Sequence, residues 1–164
     1  MCADEARFGR MNRLRPCWAP TGTRPEVAAQ LIREYIYLYG AVSPKDGTCV
    51  YLIMPTSNTA CFQAFLHMLA RRFARHDILL VLDGAPNHRC GDLAVPNNIT
   101  LLYLPPYSPE LNPKENIWDE IREKIFKNYA LKSMDAVRAK LRQAILYIER
   151  SPKLVRSITS FPYI

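Results

Sequence analysis

ILLVLDGAPNHRCGDLAVPNNITLLYLPPYSPELNPKENIW, residues 78–118, is the stretch on which the fold turns. Its opening run, ILLVL (78–82), is continuously apolar, as in a strand covered on both faces, and it delivers Asp83 at its carboxyl end. ITLLYL (99–104) repeats the pattern and stops at Pro105 and Pro106, which have no N–H to extend a ladder. Asn112-Pro113-Lys114-Glu115 then fits a helix start, with a capping residue, Pro at the first helical position and Glu two further on. One acid therefore ends a buried strand and another opens a helix beside the same sheet. Unpaired buried carboxylates are costly, so a divalent cation is their natural partner.

Working outward, residues 58–75 have helical period: Phe62, Phe65, Leu66, Leu69 and Phe73 share one face, and His67, Arg71 and Arg75 another. Asn58 or Thr59 can cap that helix. Upstream, YIYLYGAV (35–42) and TCVYLIM (48–54) read as strands of a hairpin turned at SPKDG (43–47). CADEARF (2–8) has strand character and carries Asp4, with only three residues before it, so the strand reads as cut in half. Residues 9–25, rich in Gly, Pro and Arg, read as an exposed connection. Ile117, Trp118, Ile121 and Ile125 form one apolar stripe; Met134, Val137, Leu141, Ile145 and Ile148 form a second. The predicted order is β-β-β-α-β-α-β-α with an extra C-terminal helix: an α/β fold, a mixed sheet with helices on both faces.

At 164 residues the chain is one domain of ordinary size. Its 22 basic and 15 acidic residues give a net +7 and a pI near 9.3, which favours a polyanionic partner. Arg7, Arg10, Arg13, Arg15 and Arg24 cluster in residues 7–24 without an acid, and residues 122–156 carry ten Lys or Arg against three acids. Solvated faces account for such clusters equally well. Five cysteines without CxxC spacing support neither a disulfide framework nor a zinc site. No signal peptide or membrane-length apolar run is present, so a soluble protein of the cytoplasm is expected.

Each candidate residue has a structural alternative. Asp83 lies where open sheets gather ligands, yet an acid there also caps turns. Glu115 can serve a capping box alone. Asp4 and Glu5 point to opposite faces of their strand, and spacing does not choose between them. His88 suits a phosphate contact or a general acid, or a hydrogen-bonded structural role. Trp18 can stack on a base or pack against the core. Arg89 and Lys114 flank the two acids and are candidates for phosphate contact, with Arg7, Arg10, Arg13 and Arg15.

ADEARFG (3–9), CWAPTGTRP (17–25), VLDGAPNHR (81–89) and LPPYSPELNPKENIW (104–118) together closely resemble the catalytic domain of Asp-Asp-Glu transposases of bacterial insertion sequences, in the mariner-type superfamily. The resemblance covers most of residues 3–150 and implies a ribonuclease H-like fold. It assigns the acids to Asp4, Asp83 and Glu115, with 31 residues between the last two. It implies two Mg²⁺ ions, with Mn²⁺ as substitute, held by those three carboxylates, with Asp4 bridging both. It also implies DNA as partner, in the form of transposon terminal repeats and target, and a homo-oligomer assembled on it.

Two metals about 3.5–4 Å apart clamp the attacking and leaving oxygens of an in-line phosphoryl displacement. Relatives carry helix-turn-helix domains upstream and often Gly-Trp where this chain has Pro86-Asn87. The expectation is thus a single catalytic domain over residues 1–164 from a truncated or split reading frame. Another ribonuclease H-like nuclease, or a DNA-binding and assembly module without catalysis, are the alternatives.

Overall fold

The protein is described by a computed structural model covering residues 1–12 and 14–161. Five strands form one sheet in the order β3-β2-β1-β4-β5. β1 (Cys2–Met11), β2 (Leu31–Val42) and β3 (Cys49–Met54) run as an antiparallel meander. β4 (Ile78–Leu82) and β5 (Ile99–Tyr103) are parallel to each other, and β4 is parallel to β1. β1 is the central strand, at the change from antiparallel to parallel neighbours.

The β2–β3 turn follows its sequence. Gly47 takes φ +77°, its N–H donates to Ser43 O at 2.8 Å, and Asp46 Oδ1 accepts the N–H of Thr48 at 2.8 Å. α1 (Thr59–Arg72) crosses from β3 to β4, capped by Asn58, whose Oδ1 accepts the N–H of Cys61 at 2.8 Å. Phe62, Phe65, Leu66 and Leu69 bury its apolar face against Ala3, Tyr39, Ala41, Leu80 and Leu82. α2 (Lys114–Ile121), α3 (Met134–Glu149) and α4 (Pro152–Thr159) cover the opposite face with a second core of Ile117, Trp118, Val137, Leu141, Ile148 and Val155. Each such side chain contributes about 1.5–3 kcal/mol on burial, so the two cores fix the three layers.

Several elements differ from the sequence reading. β1 runs on to Met11 and β2 begins at Leu31, because each supplies the other's backbone partners from Cys2↔Val42 to Met11↔Leu31, whatever their propensities. β4 pairs with β1 at Cys2↔Val81, so beyond Asp4 the β1–β2 ribbon extends alone. The helix expected between β4 and β5 is a single 3₁₀ turn, Pro86–His88. The helix begun at Lys114 changes to π geometry over Arg122–Phe126, and α4 has no counterpart in the sequence reading. No helix among the described residues is long and apolar enough to cross a membrane.

Candidate active site

Strand alternation separates the two neighbouring acids of β1. Asp4 faces α2, where Trp118 Nε1–H donates to its Oδ2 at 2.7 Å. Glu5 faces the opposite layer, and its Oε1 lies 2.8 Å from His88 Nε2. Asp83 follows β4, its Oδ1 2.8 Å from His88 Nδ1 and accepting the N–H of Ala85 at 3.2 Å.

Asn112 sets the third acid. Its Oδ1 accepts the N–H of Lys114 at 3.1 Å, while its Nδ2 donates to Ala3 O at 3.0 Å, joining the start of α2 to the residue before Asp4. The N–H of Asn112 itself donates to Pro109 O at 3.0 Å. The reciprocal half of a capping box is therefore already supplied, which leaves the carboxylate of Glu115 out of the cap. Asp4, Asp83 and Glu115 line one cleft of about 530 Å³, closed by Gly84, Arg89 and the Pro105–Pro109 loop.

Charge is unbalanced in this cleft. Burial pushes Asp4 up to about 7, with Glu115 and Glu5 adding repulsion and the Trp118 hydrogen bond opposing. Burial also raises Glu115; Arg122 opposes this, while Asp119 and Asp83 add to it. The His88 hydrogen bond holds Asp83 below the usual carboxylate range. His88 is buried with both ring nitrogens 2.8 Å from carboxylate oxygens. A neutral imidazole has one N–H to give, so the ring is an imidazolium. Burial pulls its pKa down, but Asp83 and Glu5 win and hold it at about 10.

Among the described residues no group of three or more His, Cys, Asp or Glu side chains could hold a metal ion. The three carboxylates share the wall of a cleft rather than one point. By donor chemistry they still fit hard divalent cations: all are oxygen ligands, Asp4 and Glu115 are raised by burial and by neighbouring acids, and each keeps an oxygen outside the hydrogen bonds described above.

The remaining candidates fall into distinct places. Arg89 lines the cleft, its guanidinium over the Tyr103 ring at 4.6 Å and packed on Gly84. Arg7 and Arg15 line a separate pocket at the β1–β2 ribbon. Arg10 is engaged by Glu34 at 2.8 Å and by Leu131 O at 3.0 Å. Trp18 is fully exposed, away from the cleft lining, and Arg13 lies outside the described residues.

Two expectations are corrected. His88 is buried as a bridge and offers no N–H to a phosphate. Lys114 has no exposed surface; its ammonium sits over Tyr51 and Trp118, at 4.0 and 4.4 Å, where a phosphate cannot reach. Trp118 as the anchor of Asp4 and Asn112 as the joint between β1 and α2 were hidden in an apolar stripe and a capping signal.

The sequence matches the family described as DDE superfamily endonuclease over residues 1–138. The chain belongs to that family. Uncharacterized protein y4pE/y4sA of Sinorhizobium fredii (strain NBRC 101917 / NGR234) is 39% identical over 105 residues, covering 63% of this chain and 77% of the relative.

This DDE-family chain also superposes on the catalytic domain of Mos1 mariner transposase, with TM-score 0.63 and 17% identity over 96% of this chain and 77% of that one. The Mos1 mariner paired-end complex with Mn gives TM-score 0.66 and 18% identity over 96% of this chain and 52% of that one. The Mos1 paired-end complex with the left transposon end gives 0.62 and 17% over 96% and 54%. These likenesses show a ribonuclease H-like fold, shared with the Mos1 catalytic domain. The chain spans about half the length of the Mos1 chains in the complexes.

Proposed function

We propose that this DDE-family domain is the catalytic part of a transposase that cleaves DNA phosphodiesters at insertion-sequence ends and joins them to target DNA. The proposal includes homo-oligomers assembled on DNA, in the cytoplasm at the nucleoid. One observation carries it: Asp4, Asp83 and Glu115, from a central strand, a strand end and a helix start, line a single cleft. Family membership and the metal- and DNA-containing Mos1 structures support the same reading.

Asp4, Asp83 and Glu115 would hold the Mg²⁺ or Mn²⁺ ions. Two such ions lower the pKa of an attacking water or hydroxyl and neutralise charge on the attacked phosphate. The chain's own groups prepare for this. Trp118 orients Asp4 through one oxygen, and His88 with the Ala85 N–H orients Asp83 through one oxygen. Arg89 stands at the cleft wall to meet a neighbouring phosphate.

The test is nicking of supercoiled plasmid in Mn²⁺ by the chain and by Asp83→Asn. Nicking by the parent, falling to background in the variant, is expected. Equal nicking by both would overturn the reading.

A further inference from the structure

A second concave site lies outside the carboxylate cleft, at the free end of the β1–β2 ribbon. It is a pocket of about 240 Å³, and its described lining includes Arg7, Arg15, Arg122, Lys127, Tyr35 and Phe126 but no acid. Behind the lining, Glu123 pairs with Arg15 at 2.5 Å and Lys127 at 3.4 Å, and Asp119 lies 3.7 Å from Arg122. Four cations thus meet two acids, and the surplus of positive charge remains. Arg7 is exposed, with no acid partner among the described residues and its guanidinium 4.4 Å over the Tyr35 ring.

The pocket is built rather than incidental. Its floor uses the π-helical segment Arg122–Phe126, a geometry that recurs at functional sites. Asn128, held at φ +58°, then grips the backbone of Arg15 at both ends: its Oδ1 accepts the Arg15 N–H at 2.9 Å and its Nδ2 donates to Arg15 O at 3.0 Å. This pair of hydrogen bonds fixes the connection after β1 as a wall.

Position links the pocket to the cleft. Arg122 follows Glu115 by seven residues, or ~10 Å along a helix axis, within the reach of a short length of single strand. Arg122 is close enough to oppose the rise in the Glu115 pKa. Duplex DNA presents its phosphates to ridges and open surfaces. A recessed pocket of cations and aromatic rings instead fits a nucleotide taken out of the stack, its phosphate on the guanidinium groups and its base or sugar on the rings.

We infer that this pocket holds an unstacked nucleotide of a single DNA strand, a few nucleotides from the phosphate in the carboxylate cleft. The inference rests on the proposed action on DNA. It is tested without catalysis, in EDTA, using a duplex with a short single-stranded overhang carrying 2-aminopurine, against a blunt duplex.

The wild-type chain is expected to prefer the overhang and to change the fluorescence of the probe. Arg7→Ala with Arg122→Ala should abolish the preference and lower the salt slope on the overhang by about 1.4, at ~0.7 for each phosphate no longer neutralised. The charge-retaining pair Arg7→Lys and Arg122→Lys should keep the slope. Arg71→Ala, on the exposed side of α1, should bind as wild type.

No overhang preference in the wild type, or an unchanged slope in the double alanine variant, overturns the inference. Plasmid nicking without overhang preference leaves the proposed function standing and removes the pocket. Overhang binding without nicking does the reverse.

Discussion

Asp4 holds one oxygen on an indole N–H; burial raises its pKa, and Glu115 and Glu5 add to the rise. Its pKa of about 7 lies above the ordinary 3.8, so the folded state takes up a proton that the unfolded chain has lost. Stability therefore falls as pH rises from about 4 to about 7. His88 adds to the decline later: its pKa is raised from 6.5 to about 10, so its contribution is complete below 6.5 and lost toward 10. Divalent cation should reverse the Asp4 part, because it favours the ionised carboxylate. Thermal melts with and without Mn²⁺ should show a larger rise in Tm at pH 8 than at pH 5. An equal rise at both would mean that the cation binds elsewhere. Little of this was legible at the residue scale, since Glu5 and His88 lie 83 residues apart and meet only through the sheet.

Elements were easier to read than their joints. ILLVL, the hairpin turn at Gly47 and the face of α1 each follow from a local pattern that the packing reinforces. The extension of β1 through Gly9 and Arg10 was not legible, because the pairing of β2 overrides their weak strand preference. Lys114 misled for a different reason. A lysine in the first turn of a helix normally faces water, but here the side chain fills the space that Gly40 leaves on β2, within 2.6 Å of where a Cβ would stand.

Asn112 is the joint with the clearest consequence. Asn112→Ala removes both a cap and a buried bond to Ala3 O, at a cost of about 1–3 kcal/mol. Chemical denaturation should show that loss. Mn²⁺ affinity should fall with it, since Glu115 loses its tether to β1; unchanged affinity would show that the tether does not position the acid.

At the scale of the molecule, basic residues line both the ribbon pocket, with Arg7, Arg15, Arg122 and Lys127, and the carboxylate cleft, with Arg89. Binding of duplex DNA should therefore depend on counterion release. If about four phosphates are neutralised, affinity drops on the order of a hundredfold between 50 and 200 mM salt. A band-shift series at fixed pH measures it, and affinity indifferent to salt would contradict the charge argument.

The π segment carries a further consequence. Wider than an α turn, it rotates everything after Phe126 relative to what a regular helix would present. A substitution that made these five residues wind as a regular α-helix, without shortening the segment, would swing Lys127 and Asn128 by roughly a quarter turn. The latch on Arg15 would then open, freeing the strand-to-strand excursion it now pins while leaving the three acids where they are.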